Sequence, residues 1–309
     1  MGVFDVAIIG GGPAGISAGI YAARFKLNAV VISNSLGGTA QTAHLIENYP
    51  GFGVISGFEL MEKFKEHLKN FEIPVIEKHV YSASKENDIF TLKLTDEEVK
   101  AKYILITTGT KRRKLGVPGD SKFYGKGVSY CVTCDAFFYR DKIVGVVGGS
   151  DAANMAAILL SSMAKKVYVI YRKEKLRGEP VWIERVITNP KIEVLYNSNV
   201  IEVIGKEFVE GVKLGDGREI SLDGVFVEIG STPECCCANE LGIAINQKGY
   251  IQVDSSQKTN VDRVYAAGDV TSGSNEFQQI VTAASEGVIA IKSIFEDMER
   301  LKVTLWKKE

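Results

Sequence analysis

The sequence predicts an α/β fold made of two Rossmann-like dinucleotide-binding domains, the second inserted into the first. Three observations predict it. A strand, glycine-turn, helix pattern occurs twice, once from Phe4 to Gly15 and once from Lys142 to Ala153. Each copy is followed by a further apolar strand, Ala29–Ser33 and Lys166–Tyr171, which completes a βαβ unit. A Gly/Pro cluster, Lys114-Leu-Gly-Val-Pro-Gly-Asp120, lies between the copies, in a chain of 309 residues that is long enough for two domains.

The elements follow in order. Val6–Ile9 and Ile143–Val147 are β-branched apolar runs of the kind that form buried parallel strands. The helices after them run to about Phe25 and Met163. Phe58–Asn70 reads as an amphipathic helix, and Tyr103–Thr107 as a strand. Phe208–Gly230 has the pattern of a hairpin meander turning at Asp216-Gly217. After a weaker boundary near Gly242–Gly249, Tyr250–Val253 and Val264–Ala267 read as strands and Phe277–Phe295 as a helix. The C-terminal block ends its strands in Ala266-Ala-Gly-Asp269, a flavin-type motif, and so belongs with the first copy. Domain one is expected to cover residues 1–115 plus 247–309, and domain two residues 116–246.

Composition narrows the function. The chain carries 37 basic and 38 acidic residues, a balance that argues against nucleic acid or an anionic membrane as partner. No apolar run approaches about 20 residues, so no membrane span is expected. Asp5 and the glycines at 10–12 disqualify the N-terminal stretch as a signal peptide. Val6 stands where a myristoylation motif needs Ser or Thr. A cytoplasmic protein is expected. The five cysteines are Cys131, Cys134, Cys235, Cys236 and Cys237. No second C-x-x-C or Cys/His pair completes a zinc site, so no metal is expected.

Four motifs carry chemistry. Gly10, Gly12 and Gly15 satisfy G-x-G-x-x-G, with Pro13 and Ala14 inside it. The glycines serve the turn, the approach to a pyrophosphate and helix-on-strand packing, and the helix N-terminus meets phosphate charge. Ser33 stands where an acid often binds ribose hydroxyls. The second turn, Gly148-Gly149-Ser150-Asp151-Ala152-Ala153, is less regular, because a Cβ at Ser150 crowds a pyrophosphate. Beyond it, Arg172, Lys173 and Arg177 can bind a 2′-phosphate, which favours NADPH over NADH; a solvated basic loop is the plain alternative. Cys131-Val-Thr-Cys134 at a helix start can form a reducible disulfide, and Asp135 beside it can serve as acid or base when a thiolate leaves. Gly268-Asp269 at a strand end can hold ribityl hydroxyls, with Gln278-Gln279-Ile280 just beyond.

Gly10–Gly15, Glu47-Asn-Tyr-Pro-Gly-Phe52, Thr107-Thr-Gly-Thr110, Cys131–Asp135 and Ala266–Asp269 occur in this order at familiar spacing. In this the chain resembles the low-molecular-weight thioredoxin reductases over essentially its whole length. The resemblance implies bound FAD, a homodimer, and thioredoxin or a thioredoxin-like protein as partner. It implies that Cys134 faces the flavin, that Cys131 attacks the partner's disulfide and that Asp135 donates the proton. It places Gly38, Thr39, Gln41, Asn48, Gly109, Asp269, Gln279 and Ile280 near the FAD. It also implies domain rotation, with Leu115–Gly119 as the hinge. The family's Gly-Gly-Gln-Leu reads Gly37-Gly38-Thr39-Ala40 here, its third glycine in the second turn is Ser150, its His-Arg-Arg reads Tyr171-Arg172-Lys173, and its Arg-Gln reads Gln278-Gln279. These departures touch the nucleotide half most, so ferredoxin or a deazaflavin stands as the alternative donor. A redox-sensing FAD-binding protein is a further alternative. Cys235–Cys237 match no family role and read as a loop of small residues. His44 lies in the flavin loop, His67 and His79 read as surface positions, and Trp182 and Trp306 as packing residues.

Overall fold

The computed structural model describes residues 2–306, with side chains as far as Leu301; the side chain of Trp306 lies outside the described residues. The chain forms two compact units, residues 1–111 with 233–309 and residues 112–232. The first segment holds β1 (Phe4–Ile9), α1 (Pro13–Arg24), β2 (Ala29–Ile32), α2 (Gly57–Lys69), β3 (Val75–Ile76), β4 (Ser82–Glu86), β5 (Ile89–Lys93), β6 (Glu98–Ile106) and β7 (Thr110–Arg112). The middle of the chain holds β8 (Val128–Ser129), α3 (Val132–Asp135), β9 (Ile143–Val147), α4 (Asp151–Ser161), β10 (Lys166–Ile170), α5 (Pro180–Ile187) and β11 (Ile192–Leu195). It continues with β12 (Val200–Gly205), β13 (Val209–Leu214), β14 (Glu219–Ser221), β15 (Gly224–Val227) and β16 (Ser231–Pro233). The last segment holds α6 (Ala238–Leu241), β17 (Val264–Ala266) and α7 (Ile280–Trp306).

In the first unit the strands run β3-β2-β1-β6-β5-β4, with β17 paired to β6. The β1, β2, β3, β6 and β17 pairings are parallel; the β4-β5-β6 meander is antiparallel. Side-chain alternation along β1 feeds two cores. Ala7 and Ile9 join Phe90, Leu92 and Val264 on one face, while Val6 and Ile8 join the apolar sides of α1 and α7 on the other. Pro13 opens α1, where its missing N–H costs nothing, and a Ser56–Glu59 capping box opens α2.

In the second unit β11-β10-β9-β15-β8 form a parallel sheet. Ala153, Ala156, Ala157 and Leu160 of α4 pack against Val144, Val146, Val167 and Val169; the alanines let the helix sit close to the strands. Trp182 is buried, as expected of a packing residue.

Several local expectations shift. The hairpin turn at Asp216-Gly217 forms, with Gly217 N–H donating to Leu214 O, but β15 leaves the meander and joins the parallel sheet beside β9. Tyr250–Val253 is not a strand. Ile251 makes isolated bridges to Ile245 and Thr271 instead. The last helix starts at Ile280, after left-handed backbone at Ser274–Glu276 and extended backbone at Phe277.

The unit boundaries fall at 111/112 and 232/233, on the mutually paired strands β7 and β16. Residues 233–246 side with the first unit because Ala238 and Ile243 are buried in its core and Glu240 accepts the Ala83 N–H at 2.8 Å. Leu115–Gly119 lies inside the second unit. Leu115 N–H donates to Tyr130 Oη at 2.7 Å, Gly116 N–H to Asp120 Oδ2 at 2.9 Å, and Val203 N–H to Pro118 O at 2.9 Å. The segment expected as a hinge is therefore strapped down, and the chain crosses between units upstream of it.

Candidate active site

Cys131 and Cys134 form a disulfide, their Cα atoms 5.3 Å apart. Cys131 is the residue before the first turn of α3, and its Sγ accepts the Cys134 N–H at 3.3 Å. Asp135 closes that turn, with its N–H on Cys131 O at 3.2 Å. Its carboxylate is held from below, where Ser129 Oγ donates to Asp135 Oδ2 at 2.6 Å and accepts the Cys131 N–H at 3.1 Å. Ser129 is buried at the end of β8, so a sheet residue holds both the disulfide's backbone and its acid. Sequence reasoning passed over Ser129; its only signal is a small hydroxyl residue two positions before the first cysteine. Phe137 and Phe138, directly after this turn, are 67% and 69% exposed.

The first glycine turn is built by close approach. A Cβ on Gly10 would lie 2.3 Å from Thr107 O, and one on Gly15 would lie 1.9 Å from Gly10 O. A Cβ on Gly12 would meet nothing within 4 Å, so the chain leaves room at the N-terminus of α1. Ala14 is buried beneath it. Ser33 turns its hydroxyl to Ser35 O at 2.9 Å. Gly38, Thr39 and Gln41 form a short 3-10 turn beside it. Asn48 and Gln279, far apart in sequence, meet in a 3.0 Å hydrogen bond next to Ile280 at the start of α7. Gly109 adopts positive φ with nothing within 4 Å of its Cβ position. Asp269 lies in the turn that follows β17, and burial first, with the Glu286 carboxylate second, pushes its carboxyl up to about 6. Two observations fit a flavin dinucleotide here. One is the open cradle at Gly12. The other is the half-buried Asp269 carboxylate, which takes no hydrogen bond from the described residues.

At the second turn, a Cβ on Gly149 would lie 2.4 Å from the buried Tyr171 ring, which makes Tyr171 a packing residue. Ser150 caps α4 from extended backbone, and Ala152 is exposed in its first turn. Asp151, expected as a nucleotide ligand, accepts the Glu179 N–H of the following loop on its Oδ1 at 2.7 Å. Arg177 N–H donates to Gly149 O at 2.7 Å, and buried Asn154 donates to Arg177 O at 3.1 Å. The loop is thereby fixed next to Gly148 and Gly149 with Arg172, Lys173 and Arg177 exposed. Asn154 is a second residue that sequence reasoning passed over, being one polar side chain in an alanine-rich helix.

Cys235, Cys236 and Cys237 are free and half-buried against the first unit's core. The Cys235 thiol contacts Gly249 O at 3.1 Å. His44, His67 and His79 are exposed. Among the described residues no cluster of three metal-ligating side chains exists, and no helix is long and apolar enough to cross a membrane.

Two dinucleotide-type units, one carrying a disulfide with an adjacent acid, define a disulfide oxidoreductase. The family model described as pyridine nucleotide-disulphide oxidoreductase matches residues 4–287. A thioredoxin reductase of Mycoplasma genitalium is 38% identical over 303 residues, covering 96% of each chain. The crystal structure of Lactococcus lactis thioredoxin reductase superposes with a TM-score of 0.91 at 32% identity, over 95% of this chain and 98% of that one. The crystal structure of T. acidophilum thioredoxin reductase gives a TM-score of 0.90 at 38% identity, over 96% of this chain and 98% of that one. The chain belongs to the pyridine nucleotide-disulphide oxidoreductases and, within them, to the thioredoxin reductases: it is an FAD-dependent oxidoreductase of that kind.

Proposed function

We propose that this chain reduces the disulfide of thioredoxin or a thioredoxin-like protein with electrons from NADPH, as a homodimer in the cytoplasm. The observation that carries the reading is the Cys131–Cys134 disulfide with Asp135 held beside it by Ser129. FAD, which the Gly12 cradle and the Asp269 carboxylate would hold, would supply the electron pair that opens this disulfide. Once open, the Cys131 thiolate attacks one sulfur of the partner's disulfide and forms a mixed disulfide, while the other partner sulfur leaves as a thiolate. Asp135 delivers the proton that this leaving thiolate takes. Cys134 then attacks Cys131 Sγ, which re-forms the internal disulfide and frees the second partner thiol. The exposed Phe137 and Phe138 offer apolar surface beside the sulfurs for a partner to cover. Exposed Val54 and Phe58 of the first unit offer apolar surface for a second copy of the chain.

NADPH as donor is supported by the loop that presents Arg172, Lys173 and Arg177 beside the second glycine turn. Ser150 favours a second reading, in which ferredoxin or a deazaflavin reduces the FAD. Anaerobic stopped-flow bleaching of the flavin separates the two. Fast bleaching by NADPH, and slow bleaching by NADH, is expected; no bleaching by either nucleotide would move the donor role to the alternatives. The variant Cys134→Ser should keep FAD and lose thioredoxin turnover, and normal turnover by it would refute the disulfide mechanism.

A further inference from the structure

We propose that Glu286, in the first turns of α7, is a positioning residue of the flavin site that fixes the Gly268–Asp269 turn so that the Asp269 carboxylate meets the ribityl hydroxyls of FAD. The proposal rests on the reading of Asp269 as a flavin ligand.

Glu286 is a carboxylate where a helix facing a core should be apolar, and it is 4% exposed. Such a group is costly unless it is hydrogen-bonded. Its Oε2 accepts the Gly268 N–H at 2.7 Å. The Thr271 hydroxyl lies 3.3 Å from the same oxygen and 3.0 Å from Gly268 O, and it accepts the Gly273 N–H at 3.0 Å. Thr271 N–H closes the turn on Gly268 O at 2.9 Å. Gly268 N–H, Gly268 O and Gly273 N–H thus trace back to one carboxylate and one hydroxyl, while Val270 O and Ser272 N–H pair with the backbone of buried Ile251. Asp269 lies between the two residues so tied and is itself tied only through its backbone, whose carbonyl accepts from Gln278 Nε2 at 3.2 Å. The network orders the turn and leaves the Asp269 carboxylate available.

Glu286 is also held in register. A Cβ on its neighbour Gly287 would lie 2.2 Å from Ala14 O, inside the first glycine turn's helix. The α1–α7 contact at Ala14 therefore sets where Glu286 stands relative to both flavin-side turns. Glu286 is the charged group that faces Asp269, and its charge adds to burial in pushing the Asp269 carboxyl up to about 6. A carboxylate that must be ionised to accept hydroxyl hydrogen bonds loses that ability as pH falls through this range. Removing the charge of Glu286 while keeping its oxygen should let Asp269 stay ionised, and hold FAD, to lower pH.

The test is FAD binding by the full chain, read by flavin fluorescence after reconstitution, from pH 5 to pH 8. Glu286→Ala should weaken FAD at least tenfold at pH 7.5. Glu286→Gln, which keeps an acceptor for Gly268, should stay within about threefold of the parent there, and its acid-side loss of FAD should move to lower pH. Unchanged affinity in Glu286→Ala would overturn the proposal. If that variant does not fold, an acid limb in Glu286→Gln that coincides with the parent's would overturn it alone. A purely structural role would weaken binding at every pH without moving the limb. Failure of the parent reading looks different: the unaltered chain, or an Asp269→Asn variant compared with it, would show no dependence of FAD affinity on residue 269.

Discussion

Ser129 Oγ donates to Asp135 Oδ2 at 2.6 Å while accepting the backbone N–H of Cys131 at 3.1 Å, so one buried hydroxyl sets the acid and the disulfide relative to each other. Ser129→Ala removes both partners at once and leaves the Cys131 N–H without its acceptor. A lost buried hydrogen bond costs about 1–3 kcal/mol. The expected outcome is a modest fall in melting temperature, unchanged FAD content and a thioredoxin turnover rate lowered roughly tenfold or more, since a misplaced general acid forfeits a large rate factor. Ser129→Thr, which keeps the hydroxyl, should recover most of the rate. Equal rates in parent and alanine variant would remove Ser129 from the site.

The first glycine turn separates folding from binding within six residues. A Cβ on Gly15 collides with Gly10 O at 1.9 Å, whereas one on Gly12 enters open space. Gly15→Ala should destabilise the unit by roughly 3 kcal/mol or more, because backbone must move. Gly12→Ala should leave apoprotein stability within about 1 kcal/mol and still weaken FAD by tenfold or more, because its methyl occupies the pyrophosphate cradle. Denaturant melts of the apoproteins, paired with flavin titrations, check both halves. A Gly12→Ala protein with parental FAD affinity would show that the cradle is not where the dinucleotide lies.

How much of this was legible in the sequence follows from which forces are local. The repeated βαβ units were readable because a β-branched run, a glycine turn and an alanine-rich helix each have a short-range signature, and β1, α1, β9 and α4 form where those signatures lie. The disulfide was readable as a spacing. Ser129, Asn154 and Glu286 were not, since each acts through a partner brought close only by the fold. Glu286 reaches Gly268, eighteen positions away, and Asn154 reaches Arg177 O. The second unit boundary, expected near Gly242–Gly249, falls between Thr232 and Pro233 for the same reason. Nothing in the Pro233–Asn246 sequence announces that Ala238 and Ile243 will be buried with Phe90 and Val264.

The loop after β10 is held by Asp151 and Asn154, and its cations are displayed as a consequence. Arg177→Ala should raise the KM for NADPH by about tenfold or more with little change for NADH, the loss expected for one charge-assisted contact to a phosphate. Asn154→Leu should raise the same KM by a smaller factor without touching any cation, by freeing the Arg177 backbone. Steady-state kinetics with both nucleotides decides. Parallel losses for NADPH and NADH would mean that the loop does not read a 2′-phosphate.

The three adjacent thiols should differ in reactivity. The adjacent Cys236 and Cys237 side chains interact, which pushes the Cys236 thiol up, with burial adding to it, and holds Cys237 below the ordinary thiol range. Burial pushes the Cys235 thiol up as well. The thiolate is the reactive form, so Cys237 should be alkylated first. Timed iodoacetamide labelling of the oxidised protein near neutral pH, followed by peptide mass analysis, should find Cys237 modified ahead of its neighbours, and Cys236→Ser should slow that labelling. Preferential modification of Cys236 would contradict this order of the two thiols.

Asp269 makes the stability of the FAD-free protein depend on pH in an unusual direction. Its carboxyl is raised from 3.8 to about 6 in the folded chain, by burial first and the facing Glu286 second. Between these two values the folded state binds more protons at this position than the unfolded state does, so stability falls as pH rises from about 4 through about 6. Above that window the ionised group costs the apoprotein on the order of 3 kcal/mol, from the size of the raise. Carboxylates held low, such as Asp297 with Tyr265 and Lys258, act in the opposite sense but at more acid pH. Chemical denaturation of the apoprotein should therefore give a higher midpoint at pH 5 than at pH 7, and Asp269→Asn should raise the pH 7 midpoint and flatten that slope. With FAD bound the slope should also flatten, because ribityl hydroxyls would satisfy the carboxylate to which none of the described residues donates. An apoprotein whose midpoint rises from pH 5 to pH 7 as steeply in the parent as in Asp269→Asn would place the buried charge somewhere other than Asp269.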